Sequence, residues 1–324
     1  MKRGVLDLNY SKGSEKGKAA LRLYGFIRSA LRLILLIGLS YIILYPIIFC
    51  FSISIRQPSD MMDPTVIWLP KNLTFDNIKF VLQKTEFIKS FGVSSAISLL
   101  CSVLQTLSCA VTGYGFARLK FKGRNIIFLL ALMTFIVPPQ IISMPLYIQY
   151  SGVTAFTAKV FGGEGIPLIN TIVPVTVSAL FAQGIKSGLF IYLFRQSFKG
   201  LPKELEDAAY LDGCGPAKAF TNIMLPNSTA ILLVSFVLSF VWYWNDYVNI
   251  SLFFNKSKPL AVLLKGLRNT FGRMISPQGA GYTDVEVTVY ETTFCLMFIA
   301  VPIIIYVILQ KKFTESLMNT SIVG

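Results

Sequence analysis

Six stretches of this chain are apolar for long enough to cross a bilayer, and that limits its folds more than any other feature. A helix covers the hydrocarbon core of a membrane with about 20 apolar residues. The stretches are Leu31–Ile53, Phe91–Phe116, Ile126–Tyr150, one within Ile166–Phe198, Ala230–Phe254 and Thr292–Leu309. Hydrophobic residues make up 54% of the 324 residues and charged residues only 14%, too few to coat a soluble domain of this size. The expected fold class is an all-α integral membrane protein with six transmembrane helices. Backbone groups in lipid must be satisfied inside each segment, which excludes open sheets.

The net charge is +14, and the chain has no histidine. The basic residues flank the apolar stretches and form no separate domain, so they fit retention on the cytoplasmic side of a membrane and not nucleic-acid binding. The tail at residues 1–30, the loop Ala117–Arg124, residues Arg195, Lys199, Lys203 and Lys218, and the pair Lys311 and Lys312 all fall on one side of a six-span arrangement. Both termini are therefore expected in the cytoplasm. Residues Asn255–Thr288 run against this pattern, with Lys256, Lys258, Lys265, Arg268 and Arg273 on the outer side of a long loop. Cys50, Cys101, Cys109, Cys214 and Cys295 show no CxxC spacing and read as packing residues; no metal site is expected. The first apolar run is too long for a secretory signal and reads as a retained span.

Prolines interrupt several stretches. Pro138, Pro139 and Pro145 lie in the third and Pro46 in the first, which predicts broken or kinked helices packed against protein. In the fourth, Gly184–Gly188 ("GIKSG") carries Lys186, which a straight lipid-facing helix would not accommodate. The residues before Gly184 are expected to form a separate segment, with the span proper starting near Gly188. Pro70–Gln83 reads as an amphipathic extracellular stretch, packed along the membrane surface or in contact with a solute-binding protein.

Between the fourth and fifth stretches lies a polar passage, "LPKELEDAAYLDGCGPAKAFTNIMLPNS", residues 201–228. Pro202 suits a first helical turn, and Glu204, Glu206 and Asp207 suit the positive end of a helix dipole. Gly213 after Asp212 fits a left-handed stop. Pro216 opens a second short helix, Ala217–Met224, with Phe220, Ile223 and Met224 as its apolar side, and Pro226 ends it. On composition alone this is a capped amphipathic loop.

The spacing says more. Asp207-Ala208-Ala209, three residues, Gly213, nine residues, then Ile223-x-Leu225-Pro226 resembles the signature loop of ATP-binding-cassette (ABC) importer permeases. "YGFARLKFKGR", "MTFIVPPQIISMPLY" and "FVWYWNDY" resemble further segments of the carbohydrate-uptake, maltose-type permeases. The family's usual Glu is Asp207 here, with Glu206 beside it. The likeness implies a transmembrane domain over residues 31–324, with a coupling loop at 199–228 that docks on a separate ATPase subunit. It implies ATPase-coupling roles for Glu206, Asp207, Ala208, Ala209, Leu211, Asp212, Gly213, Phe220, Ile223, Leu225 and Pro226. ATP and magnesium would be bound by that partner, with no cofactor in this chain and no bond-making chemistry. Further implied partners are a second, homologous permease in a heterodimer, an extracytoplasmic solute-binding protein and a sugar substrate, in a bacterial cytoplasmic membrane.

Neither "GSEKGKA" (Gly13–Ala19) nor "GCGPAK" (Gly213–Lys218) has the spacing of a phosphate-binding loop. Trp242, Trp244, Asn245 and Asp246 have two readings: groups lining a translocation pathway, or interfacial tryptophans with polar residues bonded between helices. A secondary transporter working alone is the alternative function, but no inverted repeat and no run of intramembrane carboxylates supports it.

Overall fold

The computed structural model describes residues 3–66, 69–254, 258–275 and 284–322. Among them the chain is helical, and the only β pairing is an isolated antiparallel bridge between Arg56 and Leu73. Two compact units divide after Phe75.

The first unit is dominated by α1 (Arg3–Ser54), one continuous helix that absorbs the residues expected as a tail and passes through Pro46. Its apolar part, Leu23–Ser54, starts eight residues before the predicted span and has none of its most apolar window buried. A short 3-10 turn, Pro58–Met61, follows. There Arg56 is buried and donates to the Val66 carbonyl (3.2 Å) and to Ser52 Oγ (2.9 Å). Asp60 accepts the Asn72 backbone N–H at 2.9 Å, closing the turn.

The second unit contains α2 (Asp76–Lys84), α3 (Phe87–Arg118), α4 (Arg124–Met133), α5 (Pro139–Phe161), α6 (Val173–Leu180) and α7 (Ser187–Gly200). It continues with α8 (Glu204–Leu211), α9 (Pro216–Ala219), α10 (Thr229–Trp244), α11 (Val248–Phe253), α12 (Leu260–Ile275) and α13 (Asp284–Ile322). Helix α3 is the axis, packed against α6, α7, α10 and α12. Its sequence explains why. Ser90, Ser94, Ser98, Ser102, Thr106 and Ala110 recur every fourth residue and are all buried, a row of small side chains that lets neighbouring backbones approach. At Gly113 there is no room for a side chain. A Cβ there would sit 2.5 Å from Phe194 Cβ on α7.

Of the prolines, Pro138 and Pro139 act as the sequence reading expects, while Pro46 lies within the continuous, unburied α1. The third stretch breaks into α4 and α5 at Pro138 and Pro139, which supply no N–H to continue the ladder, while Pro145 sits inside α5. The fourth divides into α6 and α7 around Gly184, as the lysine argument requires. Lys186 points at protein: its Nζ lies 3.3 Å from the Phe135 carbonyl and 4.8 Å from the centre of that ring.

Two expectations are corrected. The fifth stretch, Ala230–Phe254, is not one helix but α10 and α11, with a break at Asn245 and Asp246. The break is stabilised because Asp246 accepts the Asn249 N–H (3.0 Å) at the start of α11. The stretch Asn255–Thr288 is not a long loop, since α12 occupies residues 260–275. Lys256 lies outside the described residues. Lys265, Arg268 and Arg273 lie on this helix, and Arg268 is held by Asp284 (2.8 Å) and Glu291 (3.5 Å). The amphipathic stretch near residue 80 likewise packs on its own chain: Phe80 of α2 stacks on Tyr290 with ring centres 4.0 Å apart.

Candidate functional site

The polar passage folds as α8, a tight turn and α9. Gly213 has φ +77°, the left-handed conformation read from the sequence. The Cys214 N–H reaches the Ala209 carbonyl (2.9 Å) and the Gly213 N–H the Tyr210 carbonyl (3.1 Å), the two bonds of a Schellman stop. Pro216 opens α9. The following residues, Phe220–Met224, depart from the predicted α-helix and form a π turn, and Pro226 starts a 3-10 turn. Met224 and Ala219 are fully buried; Phe220 lies against the Tyr114 ring (5.1 Å between centres), with Ile223 and Leu225 half-buried beside it.

On α8 the candidate residues divide into two faces. Asp207, Ala208, Leu211, Asp212 and Gly213 are exposed; Leu211, an apolar side chain, is 90% exposed. Glu206 and Ala209 are buried. The Glu206 carboxylate is bound within the chain: Tyr114 donates to its Oε1 at 2.6 Å and Tyr210 at 2.9 Å, while Arg118 Nε lies 3.4 Å from Oε2. Arg118 also donates to the carbonyls of Phe198 (2.8 Å) and Leu201 (2.6 Å) at the end of α7. Partial burial pushes the Tyr210 phenol pKa up, and its bond to Glu206 adds to this, so it remains a donor at neutral pH. Of the two neighbouring carboxylates, Asp207 alone is free to meet a partner. The segment "YGFARLKFKGR" carries Tyr114 and Arg118, but nothing in the residue string says which carboxylate a helix end will meet.

A second feature is a cavity of about 470 Å³ bounded by α3–α7, α10 and α11. Its polar lining includes Thr134, Ser143, Ser178, Lys186, Tyr243 and Asn249. Buried Asp246 holds both the backbone N–H and the amide of Asn249 (3.0 Å each), and Asn249 Oδ1 accepts from Ser143 at 2.6 Å. Gln105 on α3, fully buried, donates to the Ile185 carbonyl (2.7 Å) and accepts from Tyr243 (2.5 Å). Between α6 and α7 the wall is strained: Ala182 (φ +55°) and Lys186 (φ +58°) are both left-handed. Gly184 has no room for a side chain, since a Cβ would lie 2.1 Å from Tyr243 Oη and 2.4 Å from Gln105 Oε1. Gly184→Ala is therefore expected to part Tyr243 from Gln105 and to lower stability by about 1–3 kcal/mol, read as a fall in the melting temperature of the detergent-solubilised protein.

Trp242 and Trp244 do not line this cavity. Trp244 is buried between Phe240 and Phe298 and donates to the Phe298 carbonyl at 3.1 Å. Trp242 packs on Phe190, and exposed Asn245 returns its amide to the Val241 carbonyl of its own helix. Of the four residues only Asp246 reaches the cavity wall, through Asn249. Polar Gln105 and Asn249 inside apolar stretches were the available signal for this wall.

Long apolar helices, broken helices around a largely apolar cavity with a few polar groups, and a projecting acidic-and-apolar knob define a multi-pass membrane transport protein. A model of the family "binding-protein-dependent transport system inner membrane component" matches residues 110–317. The chain belongs to that family: it is a multi-pass cytoplasmic-membrane permease of an ATP-driven importer, not a secondary transporter. It is 29% identical to the arabinooligosaccharides transport system permease protein AraQ of Bacillus subtilis (strain 168), over 88% of this chain and 92% of that one. It is 32% identical to the protein of the same name from Halalkalibacterium halodurans, over 65% and 70%. To the alpha-glucoside transport system permease protein AglG of Rhizobium meliloti it is 29% identical, over 79% and 62%. It shares its fold, at a TM-score of 0.61 and 18% identity, with a chain in the crystal structure of a bacterial ABC transporter involved in the import of the acidic polysaccharide alginate. That match covers 90% of this chain and 97% of the other.

Proposed function

We propose that this chain is the permease subunit that passes a sugar or oligosaccharide through the membrane while a separate ATPase subunit supplies the energy. Helix α8 is its coupling helix, on the cytoplasmic side together with both termini. The observation that carries this reading is the two-faced α8: Asp207 and Leu211 project, while Glu206 fixes the helix to the body of the protein. Asp207 offers a carboxylate to a basic residue of the ATPase, and Leu211 offers an apolar anchor. Phe220 and Leu225 pack beneath α8 and set its seat, while half-buried Ile223 and exposed Pro226 extend the coupling surface.

Six membrane crossings follow if α4 with α5, α6 with α7 and α10 with α11 each count as one broken crossing. Such crossings occur where backbone lines a cavity. The cavity edged by Asn249, Ser143 and Lys186 is then part of the translocation route, with Asp246 as the buried support of Asn249. The carbohydrate assignment is supported by the relatives, whose names specify arabinooligosaccharides and alpha-glucosides. A second permease, forming a heterodimer, and an extracytoplasmic binding protein complete the assembly.

The test is reconstitution. Co-expressed with its ATPase, second permease and binding protein, this chain is expected to co-purify with the ATPase in mild detergent. In proteoliposomes the complex should accumulate a neutral oligosaccharide only with ATP. Uptake without the ATPase would overturn the reading.

A further inference from the structure

We infer that Glu206, Tyr114 and Arg118 form a clasp that makes α3 the rod through which α8 reaches the cavity wall, with Gln105 as the rod's far contact. The inference rests on reading α8 as the coupling helix. Its geometry is independent of that reading.

The Arg118 and Glu206 side chains are only 7% and 9% exposed. A buried carboxylate with one cation and two phenols is held in one position, because any other leaves an unpaired charge away from water. Arg118 simultaneously caps the α7 end through Phe198 and Leu201, so α3, α7 and α8 meet in a single polar knot. A movement imposed on α8 cannot be absorbed by its connection to α7; it is passed to α3.

At its other contact α3 grips the strained wall. Gln105 lies nine residues before Tyr114, about 14 Å along a rigid helix. It holds the Ile185 carbonyl and the Tyr243 hydroxyl, one on each side of the Gly184 contact. Ser108, one turn further on, holds the Ala179 carbonyl at 2.7 Å, and Gly113 presses directly on α7. The left-handed residues Ala182 and Lys186 mark this wall as the segment with stored strain, and hence the segment that yields when α3 shifts. Glu206 is thus a positioning residue that acts through α3, and Asp207 is left as the carboxylate for the ATPase.

The test uses the reconstituted full transporter, trapped with ADP and vanadate or nucleotide-free, and reads backbone hydrogen exchange in residues 181–187 and in α8. In the wild type, trapping is expected to change exchange in both segments. In Glu206→Gln, α8 should still respond while residues 181–187 should not. Sugar moved per ATP hydrolysed should fall about 2- to 30-fold, the span typical of residues that carry coupling. Tyr114→Phe leaves the ion pair in place and serves if Glu206→Gln does not assemble; a smaller fall of the same kind is expected. A wild-type response at 181–187 in the variants, with unchanged sugar per ATP, overturns the clasp. If α8 of the wild type itself shows no response to nucleotide, the coupling reading falls and this inference with it.

Discussion

Asp207→Lys should abolish sugar uptake while the protein still inserts and folds. Asp207 is exposed on α8, its backbone N–H meets the Lys203 carbonyl at 2.9 Å, and among the described residues its carboxylate makes no hydrogen bond or ion pair. The substitution therefore leaves the chain's own packing untouched. Against an ATPase surface the outcome differs. Removing one partner of a desolvated charge pair across an interface costs about 2–5 kcal/mol, and reversing it adds repulsion. That corresponds to a loss of about 30-fold or more in docking strength. Loss of ATPase co-purification, or ATP hydrolysis without uptake in proteoliposomes, would be the readouts. Asp207→Glu places the longer carboxylate at the same position and should stay close to wild type. Normal uptake in Asp207→Lys would show that this face meets no cation.

Gly213→Pro should be as damaging for a different reason. Proline fixes φ near −65°, whereas Gly213 stands at +77° and donates its N–H to the Tyr210 carbonyl. Both the conformation and the bond are lost, at about 3 kcal/mol or more. The penalty falls on the turn that orders Leu211 and Asp212 at the tip of α8, so insertion should survive and coupling should not. Gly213→Ala separates the two effects. A Cβ there meets nothing within 4 Å, so its only cost is the left-handed backbone, about 1–2 kcal/mol. Uptake and ATPase rates measured side by side should rank wild type above Gly213→Ala and Gly213→Ala well above Gly213→Pro. Normal uptake by Gly213→Pro would remove the tight turn from the mechanism.

The signature spacing located the projecting helix and its stop because both rest on local rules. A left-handed glycine, a proline that opens a turn and acidic residues at a helix start act over one or two turns of chain. The breaks at Pro138 and Gly184 were legible for the same reason. The break inside Ala230–Phe254 was not. No proline marks it, and it exists because buried Asp246 is satisfied by Asn249, which Ser143 of α5, more than a hundred residues earlier, holds in place through its amide oxygen. Helix α12 was hidden by its charges, which read as loop until Asp284 and Glu291 came within reach of Arg268.

The sequence by itself determined apolar helices and a polar knob between two of them, since hydropathy, proline and glycine act through the segment that carries them. Only the tertiary structure decided that Glu206 turns inward while Asp207 turns out. The two are adjacent and chemically alike, but successive residues on a helix point about 100° apart. Which one meets Tyr114 and Arg118 depends on how α8 is set against the end of α3, a choice made by packing across some ninety residues of intervening chain.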